Sequence, residues 1–139
     1  MEEQDISSYI RHFQSNDRLG AIFGYSVISL SKESCVIQYE VKQEHFNPNG
    51  TLHGGALFTV MDSSQGAFIH FILEDSYAYG ATGTASIRYF LPLRQGKIRI
   101  STSLKERNRR KYILESTAFT ESGETAAVLE EIWIAILKK

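Results

Sequence analysis

At 139 residues the chain is expected to form one domain spanning 1–139, because about 150 residues is an ordinary domain length. Hydrophobic residues make up 42% and charged residues 22%, which excludes a disordered or fibrous chain. Fifteen basic residues against sixteen acidic ones leave a net charge of -1, so a general nucleic-acid binder, which needs a basic excess, is excluded too.

One cysteine, Cys35, rules out a disulfide framework and a Cys-rich metal site. The acidic start, Met1 to Asp5, lacks the basic region and apolar run of a secretion signal. No stretch reaches the roughly 18 apolar residues of a membrane span. A cytoplasmic protein with no membrane partner is the expectation.

Ile6, Tyr9, Ile10 and Phe13 recur at helical spacing, which predicts a short amphipathic helix over 6–15. Ser15-Asn16-Asp17 and Gly20 mark a break after it. Strand signals dominate from Phe23, and Cys35, Ile37, Tyr39 and Val41 alternate with wetter neighbours up to Lys42. Asn47-Pro48-Asn49-Gly50 is a turn. From His53-Gly54-Gly55 to about Leu73 a mainly apolar stretch is too long for a strand. It predicts one long helix, apolar on most sides and therefore buried. Strand patterns then cover 78–91, 96–106, 111–120 and 125–137, with short gaps that favour antiparallel pairing. The order predicts an α+β layer, a sheet of about five to six strands shielding one central helix.

Asp62 is the informative residue of that helix. Leu57, Phe58, Val60, Met61, Ala67 and Phe68 surround it, and nothing basic stands three or four residues away. A buried carboxylate is costly unless paired. Either Asp62, Ser63 and Gln65 form a wetted stripe, or Asp62 is kept because chemistry requires it. At the helix start, the first backbone N–H groups have no intrahelical partner and carry partial positive charge. His53-Gly54-Gly55 either forms a flexible turn there or presents an oxyanion hole. Gly54 and Asp62 are eight residues apart, roughly 12 Å along one helix. A single site can use both only if Asp62 comes from a second copy, so the functional reading demands a twofold dimer.

The run from Phe46 through Asn47, Gly50, His53-Gly54-Gly55 and on to Asp62 resembles the signature of hotdog-fold acyl-CoA thioesterases. It is most similar to their phenylacetate-pathway (PaaI-like) branch. The resemblance implies a hotdog fold and hydrolysis of an acyl- or aryl-CoA by a homodimer or a dimer of dimers. It implies no cofactor, since coenzyme A enters as part of the substrate, and no metal. It makes Asp62 the catalytic carboxylate and Gly54 the backbone donor to the thioester oxygen. It has Gly55 shape the turn, His53 orient the loop and contact the substrate carbonyl, and Asn47 position water or carboxylate. Thr82 is matched to a hydroxyl on the strand after the helix, with Thr84 as its neighbour on the same face. Gln65 joins the substrate-binding set. The basic run from Lys105 to Lys111, with Arg109 and Arg110 foremost and Arg88 and Arg94 behind them, is either a candidate for the coenzyme A phosphates or a solvated hairpin loop. Phe68, Phe71, Tyr77, Tyr79, Tyr89 and Phe90 are core or acyl-pocket aromatics. A non-catalytic acyl-CoA-binding hotdog module is the alternative reading.

Overall fold

A computed structural model describes residues 3–139. The chain opens with α1 (Glu3–Asn16) and α2 (Arg18–Phe23). Ile6, Tyr9, Ile10 and Phe13 of α1 pack on the core, as their spacing predicts. The expected break falls at Asp17, whose Oδ1 accepts from the Gly20 N–H at 3.2 Å and caps α2. Gly20 itself lies inside α2 rather than in the break. Its missing side chain permits close packing, because a Cβ there would stand 2.8 Å from Ser63 Oγ. Strand structure therefore starts at Ser26, not at Phe23.

After β1 (Ser26–Leu30) and β2 (Cys35–Val41), a short 3-10 turn at Gln43–His45 leads to the long helix α3 (Gly54–Ile72). Four strands follow: β3 (Tyr77–Tyr89), β4 (Gly96–Asn108), β5 (Lys111–Phe119) and β6 (Thr125–Leu137). They form one antiparallel sheet in the order β1-β2-β4-β5-β6-β3. The sheet wraps around α3, which packs across β2 to β6. This is the hotdog fold that the resemblance implies.

The core follows from the two periodicities. In β2, Cys35, Ile37, Tyr39 and Val41 are buried while their neighbours are wetter. In β6 the inward set is Ala127, Leu129, Glu131, Trp133 and Ala135, all buried. Val60, Met61, Phe68 and Ile69 of α3 are inaccessible to solvent, and each contributes about 1.5–3 kcal/mol by leaving water. Among the described residues no helix is long and apolar enough to cross a membrane.

One edge of the sheet is β3, thirteen residues long, and Thr82 to Ser86 along it are exposed. A long unpaired edge presents a row of free N–H and C=O groups, which proteins usually cover.

Candidate active site

The site begins with the loop that delivers α3. Asn47 Oδ1 accepts from the backbone N–H groups of Asn49 at 2.9 Å and Thr51 at 3.3 Å, closing the turn that the Asn-Pro-Asn-Gly sequence predicts. Asn47 Nδ2 donates to Thr51 Oγ1 at 3.1 Å. The next residues are pinned by Leu52 N–H on Leu93 O at 2.8 Å and His53 N–H on His45 O at 2.9 Å. His53 then caps the helix in extended conformation, and its Nδ1 accepts from the Gly55 N–H at 2.9 Å.

That cap divides the two glycines. The Gly55 N–H is consumed by His53, so Gly55 shapes the turn and offers no donor there. The Gly54 N–H has no acceptor among the described residues. It is the free donor at the positive end of a 19-residue helix. Gly54 lines a cavity of about 320 Å³ together with Asn47, Leu52, Tyr89, Phe90 and Leu93. The Tyr89 hydroxyl donates to Gly54 O at 2.7 Å and so fixes the cavity wall against the helix start.

Asp62 lies two turns further along α3. Gly54, Phe58 and Asp62 recur every four residues, and each is only half-buried, whereas most of α3 is closed. They form one open stripe on an otherwise enclosed helix. Burial pushes the Asp62 carboxyl up, the nearby Asp17 charge adds to that, and a hydrogen bond with Glu131 opposes it. Glu131, on the core face of β6, is pushed well above the usual carboxylate range by burial and by Asp62. Sequence reasoning missed Glu131. Its signal was a lone acid at an inward position of a strand otherwise filled by Ala127, Leu129, Trp133 and Ala135.

Several expected site residues lie elsewhere. Gln65 is completely buried, and it spends itself on the core rather than on a ligand. Its Nε2 donates to Leu114 O at 3.3 Å and Leu129 O at 3.2 Å, and its Oε1 accepts from the Trp133 indole at 2.9 Å. Thr82 and Thr84 do not share a face. Thr82 pairs with the inward Trp133 and Thr84 with the outward Ile132, so Gly83 is the extra residue of a bulge. Thr82 therefore stands on the α3 side and Thr84 on the other.

Arg88 pairs with Val128 on the outer face, beside Lys105, Glu115 and Glu130. Arg109 and Arg110 turn the β4–β5 hairpin, Arg109 with a left-handed φ of 58°. Arg110 Nε donates to Ala135 O at 2.8 Å. The neighbouring Arg107 pairs with Glu74, just past the C-terminus of α3, at 2.6 Å. The basic turn thus sits at the opposite end of α3 from Gly54. Of the aromatics, Tyr89 and Phe90 line the cavity, while Phe68 and Phe71 are core. Tyr77 packs edge-on against Tyr112, and Tyr79 is exposed. Among the described residues no cluster of His, Cys, Asp or Glu is placed to hold a metal ion.

Residues 49–127 match the family model of the thioesterase superfamily. No curated protein sequence matches the chain significantly. Among solved structures, the PaaI protein from the phenylacetic acid degradation operon of E. coli is similar at a TM-score of 0.85 and 15% identity, over 96% of this chain and 94% of that one. A hypothetical thioesterase protein of Streptococcus pneumoniae TIGR4, solved with coenzyme A, is similar at 0.81 and 18%, over 94% and 98%. The smu.793 protein of Streptococcus mutans UA159, bound to acetyl CoA, is similar at 0.76 and 20%, over 84% and 91%. At such identities the structural likeness speaks for the fold, and the family model speaks for kinship. With its helix-capping His-Gly-Gly loop and its sheet wrapped around α3, the chain is a member of the thioesterase superfamily.

Proposed function

We propose that this chain is an acyl-CoA thioesterase of the phenylacetate-pathway type, one hotdog unit over 1–139 that works as a twofold dimer. The observation that carries the reading is the Gly54 N–H, a free donor at the mouth of a cavity, on the same open stripe as Asp62. The two stand roughly 12 Å apart on one rigid helix, so they cannot act on one carbon within a subunit. A twofold axis near Phe58, midway between them, brings each Asp62 to the Gly54 of the partner. The exposed edge of β3 supports the same pairing, because strand-to-strand contact there would cover it.

Hydrolysis then needs no cofactor. The Gly54 N–H stabilises the oxyanion that develops on the thioester carbonyl. The Asp62 carboxylate either takes a proton from a water that attacks that carbon, or attacks the carbon itself to form a mixed anhydride that water then cleaves to the free acid and Asp62, and both routes use the same geometry. The coenzyme A thiolate leaves, and it or the solvent receives the proton. Asn47 and Thr82 stand on the cavity wall and on the α3 face of β3, where each can hold water. Antiparallel pairing of the β3 edges carries the Arg109–Arg110 turn of one subunit toward the helix start of the other, where it would meet coenzyme A phosphates. The relatives solved with coenzyme A and acetyl CoA support that ligand class.

A thiol-release assay across short, medium, long and aromatic acyl-CoAs tests the reading. Asp62→Asn keeps fold and dimer and lowers turnover by at least about 10²-fold. Near-normal hydrolysis by Asp62→Asn ends the assignment. Absence of any thioester cleavage, together with a melting temperature raised by acyl-CoA, replaces it with a binding module.

A further inference from the structure

Glu131 is fully buried, and neither of its oxygens meets a donor among the described residues. Across the ladder it faces Ala85 on β3 and Leu114 on β5, which carry no charge and no side-chain donor. The Trp133 indole N–H, on its own strand, is given to Gln65 Oε1 at 2.9 Å, and its smaller pull toward the ionised form of Glu131 is outweighed by burial and by Asp62. From α3, Gln65 reaches Leu129 O at 3.2 Å and the Trp133 indole at 2.9 Å, on either side of Glu131, and Asp62 stands one helical turn before Gln65, which makes it the acid that bears on Glu131. Behind Asp62 stands Asp17 of the α2 cap, whose Oδ2 accepts from the Tyr25 hydroxyl at 2.7 Å. Neither Asp62 nor Glu131 forms an ion pair among the described residues.

Two ionised carboxylates offer only acceptors to one another, so contact between them requires a shared proton. A buried charge with no partner is relinquished rather than kept. The deeper group, Glu131, therefore holds the proton, and the half-exposed Asp62 keeps the charge.

We propose that Glu131 is a positioning residue for the hydrolysis: as a neutral acid it donates its O–H to one oxygen of Asp62 and leaves the other oxygen aimed at the substrate. Burial and the Asp62 charge both favour that neutral form. The arrangement sets a pH window. Below it Asp62 gains a proton and loses its basicity. Above it Glu131 ionises, and two like charges in contact disrupt the geometry. The proposal rests on Asp62 being the catalytic carboxylate, so one measurement is chosen that does not need activity.

The test is the pH profile of kcat/KM for wild type, Glu131→Gln and Glu131→Leu, together with ¹³C NMR titration of the side-chain carboxyls in wild type and Asp62→Asn. Glutamine keeps a donor and cannot ionise. It should retain activity within about threefold at neutral pH and abolish the alkaline limb. Leucine removes the donor, and a hydrogen bond to a charged group is worth roughly 10- to 100-fold in Asp62 acidity. The acidic limb should then move up by about one to two pH units. A packing role alone would lower activity without moving either limb. By NMR, Glu131 should titrate well above the carboxylate range and move down in Asp62→Asn. A Glu131 signal in the ordinary range, or a Glu131→Gln profile superimposable on wild type, overturns the proposal. Should Glu131→Leu fail to fold, the glutamine profile and the titration decide. If Asp62→Asn hydrolyses normally, the thioesterase reading fails, while the titration still decides whether the two acids share a proton.

Discussion

Gln65→Leu separates a ligand-binding role from a structural one. Leucine is similar in size and as good in a helix, so the backbone of α3 has no reason to change. Three hydrogen bonds disappear, two from Nε2 to the Leu114 and Leu129 carbonyls and one from Trp133 to Oε1. The orphaned indole N–H of Trp133 dominates the cost, since its residue is only 6% exposed and water has little access. An unsatisfied buried donor costs about 1–3 kcal/mol, and better transfer of leucine into the core offsets part of that. The net loss should be about 2 kcal/mol, or roughly 6–8 °C in Tm for a domain of this size. Urea melts at fixed protein concentration measure it, because an oligomer's stability depends on concentration. Trp133→Phe removes the orphan. In the Gln65→Leu background it should therefore cost at least about 1 kcal/mol less than in wild type. The folded variant should hydrolyse acyl-CoA within about threefold of wild type, because Gln65 is fully buried and its amide is engaged by the core. A loss of more than about 30-fold with an unchanged Tm would return Gln65 to the substrate site and refute the structural assignment.

Gly54→Pro deletes the free N–H and nothing else of consequence to the helix. Proline suits the first helical position, and His53 already has the extended conformation that must precede it (φ −60°, ψ 130°). Tyr89 has to give by a few tenths of an ångström, since an added Cβ would lie 3.2 Å from its ring. Thermal melts should stay within about 1 kcal/mol of wild type while turnover falls about 10²–10³-fold; an active proline variant would remove Gly54 as the oxyanion donor. Glu131→Gln should also reshape stability against pH. The folded-state pKa of Glu131 is raised, so its contribution is intact below about pH 4.3 and is lost as pH rises toward the folded value. The glutamine variant should match wild type near pH 4 and exceed it by roughly 1–3 kcal/mol at pH 8, read from urea midpoints, and a constant gap between the two curves across that range would contradict a neutral buried acid.

What the sequence made legible was local. The Asn47 turn, the His53 cap and the placement of Gly54 all depend on residues within a few positions of one another, and period-two alternation marked β2 without knowledge of its partners. Gln65, Thr84 and Glu131 escaped because each is decided by register. Gln65 follows Asp62 by three residues and looks like part of the same polar stripe, yet three residues of helix rotate it onto β5 and β6. Thr84 follows Thr82 by two, which in a regular strand means the same face; the extra residue at Gly83 reverses it, and no turn or proline announces a bulge. Glu131 is the instructive case. Beside Glu130 it reads as half of an acidic pair on a solvated strand, but Glu130 takes the outer face with Lys105 at 2.6 Å while Glu131 goes inward to Asp62. Alternation alone could have separated the two, because Leu129 and Trp133 fix which parity is buried. The unpaired acid on the helix then needs no basic partner to be tolerable: a second acid, carrying the proton, supplies a donor where the chain around Asp62 provides no cation.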